Sequence, residues 1–416
     1  MINILIRGFP SLDNYGTGMM GLIAIDRLTR LIDGPVRFLC DFKPTTDIAQ
    51  IMSELGESGT RAEVVRHVPR PLGEMGQIGR RVERLRRHFL GTEAAGADLV
   101  VVLGGDDLSE YYVPDIWRRI GLMRRWSEKR PVVLLGQTIG PFNTPRNRQS
   151  AKEDFPHLHI FARDKWTMNY LTTQFGLKDR LYQGSDLAYM DLPLQGRTDI
   201  EQDILARYGL APDTYATLVI SGLQQNGYYT DNPEDYRSSW IEIIRRLLAH
   251  PGMAGRKLCL LAHTFSSVYG NEPDFINDLM ARLPEDLKDR ITPVTEKVLQ
   301  ARARFILGNG LFTITGRMHP AVSTFQMGKP AISLAYGSKY EGVIGTMLGR
   351  SDLIVDADHA ELWASRRIAD LTMERVDLVL ANHSALCTDI RERIAEQKQV
   401  IEACFRRVYQ LLPARS

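Results

Sequence analysis

Short apolar runs recur along the chain, most of them without polar alternation, and longer mixed segments separate them. Ile2–Ile6, Val36–Cys40, Glu63–Val68, Leu99–Leu103, Val132–Leu135, Ile160–Ala162 and Leu181–Gln183 read as strands. Several are unbroken Val, Ile and Leu, the pattern of parallel strands covered on both faces. From Asp191 to Asp213 the chain turns polar and gains Pro193, Gly196, Gly209 and Pro212. The alternation then restarts with strands expected at Thr217–Ser221, Lys257–His263, Ile291–Pro293, Leu311–Ile314, Pro330–Ala335 and Leu353–Val355, and helices such as Tyr236–His250 and Glu272–Leu283 between them. The predicted class is α/β: two tandem Rossmann-like domains, residues 1–195 and 196–380, facing a cleft. Residues 381–416 form a helix-compatible tail with apolar positions at Ile390, Ile394, Val400, Ile401, Phe405 and Val408. Periodicity leaves open whether that tail packs back on the first domain.

Composition narrows the functional classes. The length, 416 residues, exceeds one ordinary core and fits two. With 44% hydrophobic and 25% charged residues, disorder and collagen are excluded. Lys and Arg total 52 against 50 Asp and Glu, a balance of +2 that argues against a protein coating nucleic-acid phosphates. Cys40, Cys259, Cys387 and Cys404 are scattered without CxxC spacing, so no metal site, no disulfide framework and a reducing compartment are expected. No basic segment followed by an apolar stretch opens the chain, and no apolar run is long enough to span a bilayer. The expectation is a cytoplasmic protein.

Candidate chemistry lies at strand ends. Gly16-Thr17-Gly18-Met19-Met20-Gly21 matches a dinucleotide fingerprint, with Asp41 placed as a ribose ligand would be. The first glycine, however, does not directly follow the strand, because Phe9–Tyr15 intervene, so a loop facing the cleft around Asn14 and Gly16 is expected instead. Leu99–Leu103 runs into Gly104-Gly105-Asp106-Asp107-Leu108, where glycines would let backbone approach a ligand and Asp107 would either cap a helix or act on substrate. Leu134–Leu135 runs into Gly136-Gln137-Thr138-Ile139-Gly140-Pro141, a second loop that would line the same pocket with Gln137. Arg163, after Ile160–Ala162, could fork onto a carboxylate or phosphate, or pair with adjacent Asp164.

The densest group is Thr313-Ile314-Thr315-Gly316-Arg317-Met318-His319-Pro320, just before a helix expected at Ala321–Met327. Arg317 supplies an anion fork and His319 a group that titrates near neutral pH. The other eight histidines offer no comparable context. Lys339, in Tyr336-Gly337-Ser338-Lys339, adds a further cation for a phosphate, or is a solvated loop lysine. The basic segment Arg80–Leu90, with an apolar stripe at Val82, Leu85 and Phe89, fits contact with an anionic membrane, contact with the diphosphate of a lipid-linked acceptor, or a solvated helix face.

In this order, Asn14-Tyr15-Gly16, Gly104-Gly105-Asp106-Asp107-Leu108, Gly136-Gln137-Thr138-Ile139-Gly140-Pro141, Ala162-Arg163-Asp164, Ser185-Asp186-Leu187-Ala188-Tyr189, Gly316-Arg317-Met318-His319, Tyr336 and Lys339 resemble the polysaccharide pyruvyl transferase family. The chain departs from the family pattern at Asp106, where a third glycine is frequent, at Thr17-Gly18 and at Leu187. The resemblance implies a glycosyltransferase-B-like architecture, phosphoenolpyruvate as donor, and a sugar diol of a cell-surface polysaccharide precursor as acceptor. The product would be a pyruvate ketal, with release of phosphate. Arg163, Arg317 and Lys339 would hold the donor, His319 would act as general acid, and Asp107 would orient or deprotonate a hydroxyl. No metal or cofactor is required. The alternatives left open are a nucleotide-sugar-dependent glycosyltransferase of the same architecture and a non-catalytic carbohydrate-binding relative.

Overall fold

Unbroken apolar runs form the centre of each sheet because only strands covered on both faces can bury every side chain. The computed structural model describes residues 1–67, 94–266 and 270–413. Arg80–Leu90 lies outside them. Among the described residues the strands are β1 (Ile2–Arg7), β2 (Val36–Cys40), β3 (Ala62–Arg66), β4 (Leu99–Leu108), β5 (Val132–Ile139), β6 (His159–Ala162), β7 (Leu181–Gln183), β8 (Tyr215–Val219), β9 (Lys257–Leu261), β10 (Ile291–Val294), β11 (Thr313–Thr315), β12 (Ala331–Ala335) and β13 (Ile354–Asp356). The first seven form one parallel sheet in the order β3-β2-β1-β4-β5-β6-β7, and the last six a second in the order β10-β9-β8-β11-β12-β13. Both orders reverse direction after the first strand of the set, between β1 and β4 and between β8 and β11. Ligands of open α/β sheets bind at such switch points. The α/β class read from the apolar pattern is therefore the observed one.

The chain divides into two units. The first holds Met1–Ser11, Met20–Leu187 and the tail from Gln399, and the second holds Leu12–Met19 and Ala188–Lys398. The last helix, Arg367–Gln410, starts well before the tail expected from the sequence and carries a non-helical residue at Asn382. Within the first unit its end is tied by Glu402 to Arg27 at 3.0 Å and by the Arg407 guanidinium over the Tyr182 ring.

Three glycine-rich segments differ from their expected conformation. Gly16 through Gly21 is not a loop but the start of the helix Tyr15–Leu31. Asn14 caps it, its Oδ1 accepting from the Gly16 and Thr17 amides at 3.1 and 3.4 Å. Each glycine admits a close neighbour: a Cβ would run into the His319 ring at Gly16, the Gln300 amide at Gly18 and the Phe9 ring at Gly21. Gly104, Gly105 and Asp107 are likewise not a turn, because β4 continues through them to Leu108, with a register shift between Gly105 and Leu108. A Cβ at Gly104 would overlap the Gly136 carbonyl, so glycine there permits two strands to approach rather than one to turn. Gln137 belongs to β5 and not to a loop. Asp107 caps no helix, since the next begins at Ile116 after Asp115.

Candidate active site

In the second unit, β11 ends at Thr315 and the following helix runs Met318–Gln326, so Arg317 is its N-cap residue and His319 sits in its first turn. The Thr315 hydroxyl closes this turn, accepting from the Arg317 amide and donating to the Arg317 carbonyl, each at 2.9 Å. The Gly316 carbonyl accepts from the Tyr340 hydroxyl at 2.8 Å and from the Tyr229 hydroxyl. A Cβ at Gly316 would lie 2.9 Å from Tyr229 Oη and 3.0 Å from Ser221 Cβ. Glycine is required where the backbone meets these groups. Burial holds both tyrosine hydroxyls in their neutral, donating form, well above the ordinary phenol range.

Arg317 is aimed by a carboxylate. Its Nε donates to Glu272 Oε1, and both side chains are buried. The other carboxylate oxygen, Glu272 Oε2, accepts from the His263 and Thr264 amides at 2.7 and 3.0 Å. Burial opposes the Arg317 charge, and Glu272 more than offsets it, so the guanidinium stays charged. His319 packs against Gly16, where no side chain larger than hydrogen fits. Tyr15, the residue before Gly16, lies edge-on to the His263 ring at 5.1 Å, and its amide donates to the His263 carbonyl at 3.2 Å. His263 Nε2 is buried without a hydrogen-bond partner among the described residues. Lys339 Nζ donates to Tyr336 Oη at 2.8 Å and lies 4.6 Å from that ring's centre.

Burial holds the His263 imidazole well below the ordinary histidine value, and His319, Arg317 and Arg304 add to the effect. The unfolded chain takes up a proton near 6.5, and the folded His263 does not. Folding stability therefore falls as pH drops below that value, by up to ~1.4 kcal/mol per pH unit for one proton. Urea unfolding between about pH 7 and pH 5 will show a shallower loss in His263→Asn than in the native chain. Identical slopes would contradict the burial of a neutral imidazole.

The remaining candidates belong to the first unit. The direct charged partner of Arg163 is Asp186 rather than Asp164: its Nη1 donates to Asp186 at 2.9 Å and its Nε to Thr138 Oγ1 at 2.8 Å, and both members of the ion pair are buried. Asp164 instead caps the helix Lys165–Phe175 through the Thr167 amide at 2.7 Å. Gln137 Nε2 donates to the Leu103 carbonyl at 2.5 Å, tying β5 to β4. Asp107 pairs with Arg119 at 2.8 Å, both about half exposed. Asn14 and Gly16 belong with His319 in the second unit, whereas Gly104, Gly105, Gln137, Asp107 and Arg163 belong to the first. Among the described residues no three His, Cys, Asp or Glu side chains gather as a metal site.

Sequence reasoning missed Glu272, His263, Tyr229 and Tyr340. Glu272 looked like one acidic residue in a helix start, and His263 like the polar end of a strand. Their roles come from the fold, which brings the turn after β9 and the helix Glu272–Arg282 against Arg317. The one available signal was the apolar Leu258–Ala262 run ending in His263-Thr264, a strand end like the one that singled out His319.

The model of the polysaccharide pyruvyl transferase family matches residues 48–338, a span that contains Asp107, Arg163, Glu272, Arg317 and His319 and stops one residue before Lys339. No curated protein matches the sequence. Among solved structures, UDP-GlcNAc 2-epimerase from Neisseria meningitidis bound to UDP-GlcNAc is similar over 99% of each chain, with a TM-score of 0.61 at 11% identity. UDP-N-acetylglucosamine 2-epimerase from Rickettsia bellii gives 0.56 at 12% identity over 99% of this chain and 96% of that one. The Methanocaldococcus jannaschii UDP-GlcNAc 2-epimerase gives 0.54 at 14% identity over 91% and 92%. At such identities the likeness shows the fold, which is glycosyltransferase-B-like. The family match covers well over half of the sequence and the ordered strand-end motifs within it: the chain belongs to the polysaccharide pyruvyl transferase family.

Proposed function

We propose that the protein transfers the enolpyruvyl group of phosphoenolpyruvate to a sugar diol, forming a pyruvate ketal and releasing phosphate. The observation that carries this reading is one turn presenting Arg317 and His319 two positions apart, the arginine aimed by buried Glu272 and the histidine backed by Gly16. The donor places a carboxylate and a phosphate close together. Arg317 and Lys339, both in the second unit, are the cations assigned to it, and Arg163, buried and paired with Asp186 in the first unit, is not. His319 protonates the methylene carbon, which becomes the methyl group. The bond from the central carbon to the phosphate oxygen breaks as two hydroxyl oxygens bond to that carbon. Of the two hydroxyl protons, one restores the acid and the other leaves on hydrogen phosphate. Asp107 is assigned to orient or deprotonate a hydroxyl.

The acceptor is read as a precursor of a cell-surface polysaccharide, handled in the cytoplasm, with Arg80–Leu90 as the segment for a membrane or lipid-linked diphosphate. No described helix is long and apolar enough to cross a membrane. The test incubates the full chain with phosphoenolpyruvate and pooled saccharides and follows phosphate. Release that depends on a saccharide is expected. Consumption of a nucleotide sugar with no phosphoenolpyruvate turnover would overturn the reading in favour of a glycosyltransferase.

A further inference from the structure

Large apolar side chains exposed among the described residues are few: Met1, Tyr111, Tyr112, Trp166 and Tyr409. Three of the five follow the C-terminal ends of β4 and β6, the strands that flank β5. Tyr111 is 69% exposed, Trp166 46% and Tyr112 39%. They stand on a fixed base. Glu110 accepts from the Asn143 and Thr144 amides at 2.8 and 2.9 Å and from Asn147 Nδ2 at 2.6 Å, pinning the backbone beside Tyr111 to the loop after β5. On the other side of that loop, Tyr170 Oη accepts from the Phe142 amide at 2.6 Å, and Trp166 stacks on the Tyr170 ring at 4.9 Å and 7°. Two rigid aromatic platforms thus flank one short loop. At the end of β4 itself, Tyr112 Oη donates to Asp106 at 3.0 Å, and Asp107 pairs with Arg119 in partial exposure.

We infer that Tyr111, Tyr112 and Trp166, with Asp106, Asp107 and Arg119 beside them, form a binding surface for a neutral pyranose. The inference rests on the proposed function only in naming that pyranose as part of the acceptor. Held rings offer large amphipathic contact at little entropic cost, and the C–H face of a pyranose is the surface that stacks on them. Carboxylates and a guanidinium accept from and donate to hydroxyls around the ring edge. Two carboxylates disfavour a phosphate-rich lipid or nucleic acid on the same face. An exposed aromatic cluster this ordered is a recognition surface rather than scattered surface apolarity.

The test uses the full chain and three probes: methyl β-D-galactopyranoside, methyl β-D-glucopyranoside and methyl α-D-mannopyranoside, read by saturation-transfer NMR and on an array of neutral oligosaccharides. Binding of at least one neutral sugar is expected, weakened about tenfold or more in Tyr111→Ala and in Trp166→Ala, equivalent to roughly 1.4 kcal/mol. Tyr111→Phe and Trp166→Phe should retain it. The inference is overturned if no neutral sugar binds the native chain, or if both alanine variants bind as the native chain does. It is equally overturned if those variants lose, instead, binding to phosphatidylglycerol vesicles or self-association. Melting shifts with phosphoenolpyruvate separate the two readings. A donor shift without sugar binding sinks this surface alone, and variant-sensitive sugar binding without a donor shift sinks the donor assignment alone.

Discussion

Replacing His319 with alanine lowers turnover by about 10²–10⁴-fold, the range lost when a positioned general acid is removed. The effect should fall on the rate and spare the fold. His319 lies in the first turn of a helix, where alanine is well tolerated, and the turn before it is closed by Thr315, Tyr229 and Tyr340 rather than by the imidazole. Gly16→Ala provides an independent approach to the same atom. Its Cβ would overlap the His319 ring, so the ring must move from its position. A misplaced catalytic group costs rate even when its chemistry is intact. Steady-state phosphate release from phosphoenolpyruvate, with circular dichroism as the folding control, checks both variants. Native turnover in His319→Ala would remove the histidine from the mechanism.

Glu272→Ala destabilises the second unit by about 3–5 kcal/mol, because it removes the buried carboxylate that pairs with the buried Arg317 charge. The carboxylate does three things at once: it receives the guanidinium and accepts from the His263 and Thr264 amides. Removing it takes this acceptor from each of the three. A fall in unfolding midpoint on the order of 10 °C follows. Glu272→Ala combined with Arg317→Met recovers part of that loss, since no buried charge remains to be left unpaired, while activity stays absent. Equal instability of the single and double variants would mean that Glu272 acts through the amides alone.

The strands were legible because their chemistry is simple. Leu99–Leu103, Val132–Leu135 and Leu258–Leu261 are apolar throughout, and a parallel sheet is the economical way to bury such runs. Glycine was the main source of error. At Gly104 and at Gly16–Gly21 it read as a turn or a loop, yet in the fold it makes room for the Gly136 backbone and for His319, Gln300 and Phe9. A glycine that admits a neighbour and a glycine that bends the chain look alike in sequence, because the neighbour comes from elsewhere. The site divides the same way. Arg317 and His319 announced themselves by sharing one strand end. Glu272 and His263, far from them in sequence, became visible only through the contacts that hold Arg317 in place. Arg163 shows the reverse: a strand-end arginine that suits anion binding is engaged with buried Asp186 and Thr138.

Phosphoenolpyruvate as donor is tested by the unfolding temperature of the full chain with phosphoenolpyruvate and, separately, with UDP-GlcNAc. A ligand at about 100 times its Kd stabilises the folded state by roughly 2.7 kcal/mol, enough to read as a clear upward shift. That shift is expected with phosphoenolpyruvate, is expected to shrink in Lys339→Ala, and should be absent with UDP-GlcNAc. A shift with UDP-GlcNAc and none with phosphoenolpyruvate would contradict it.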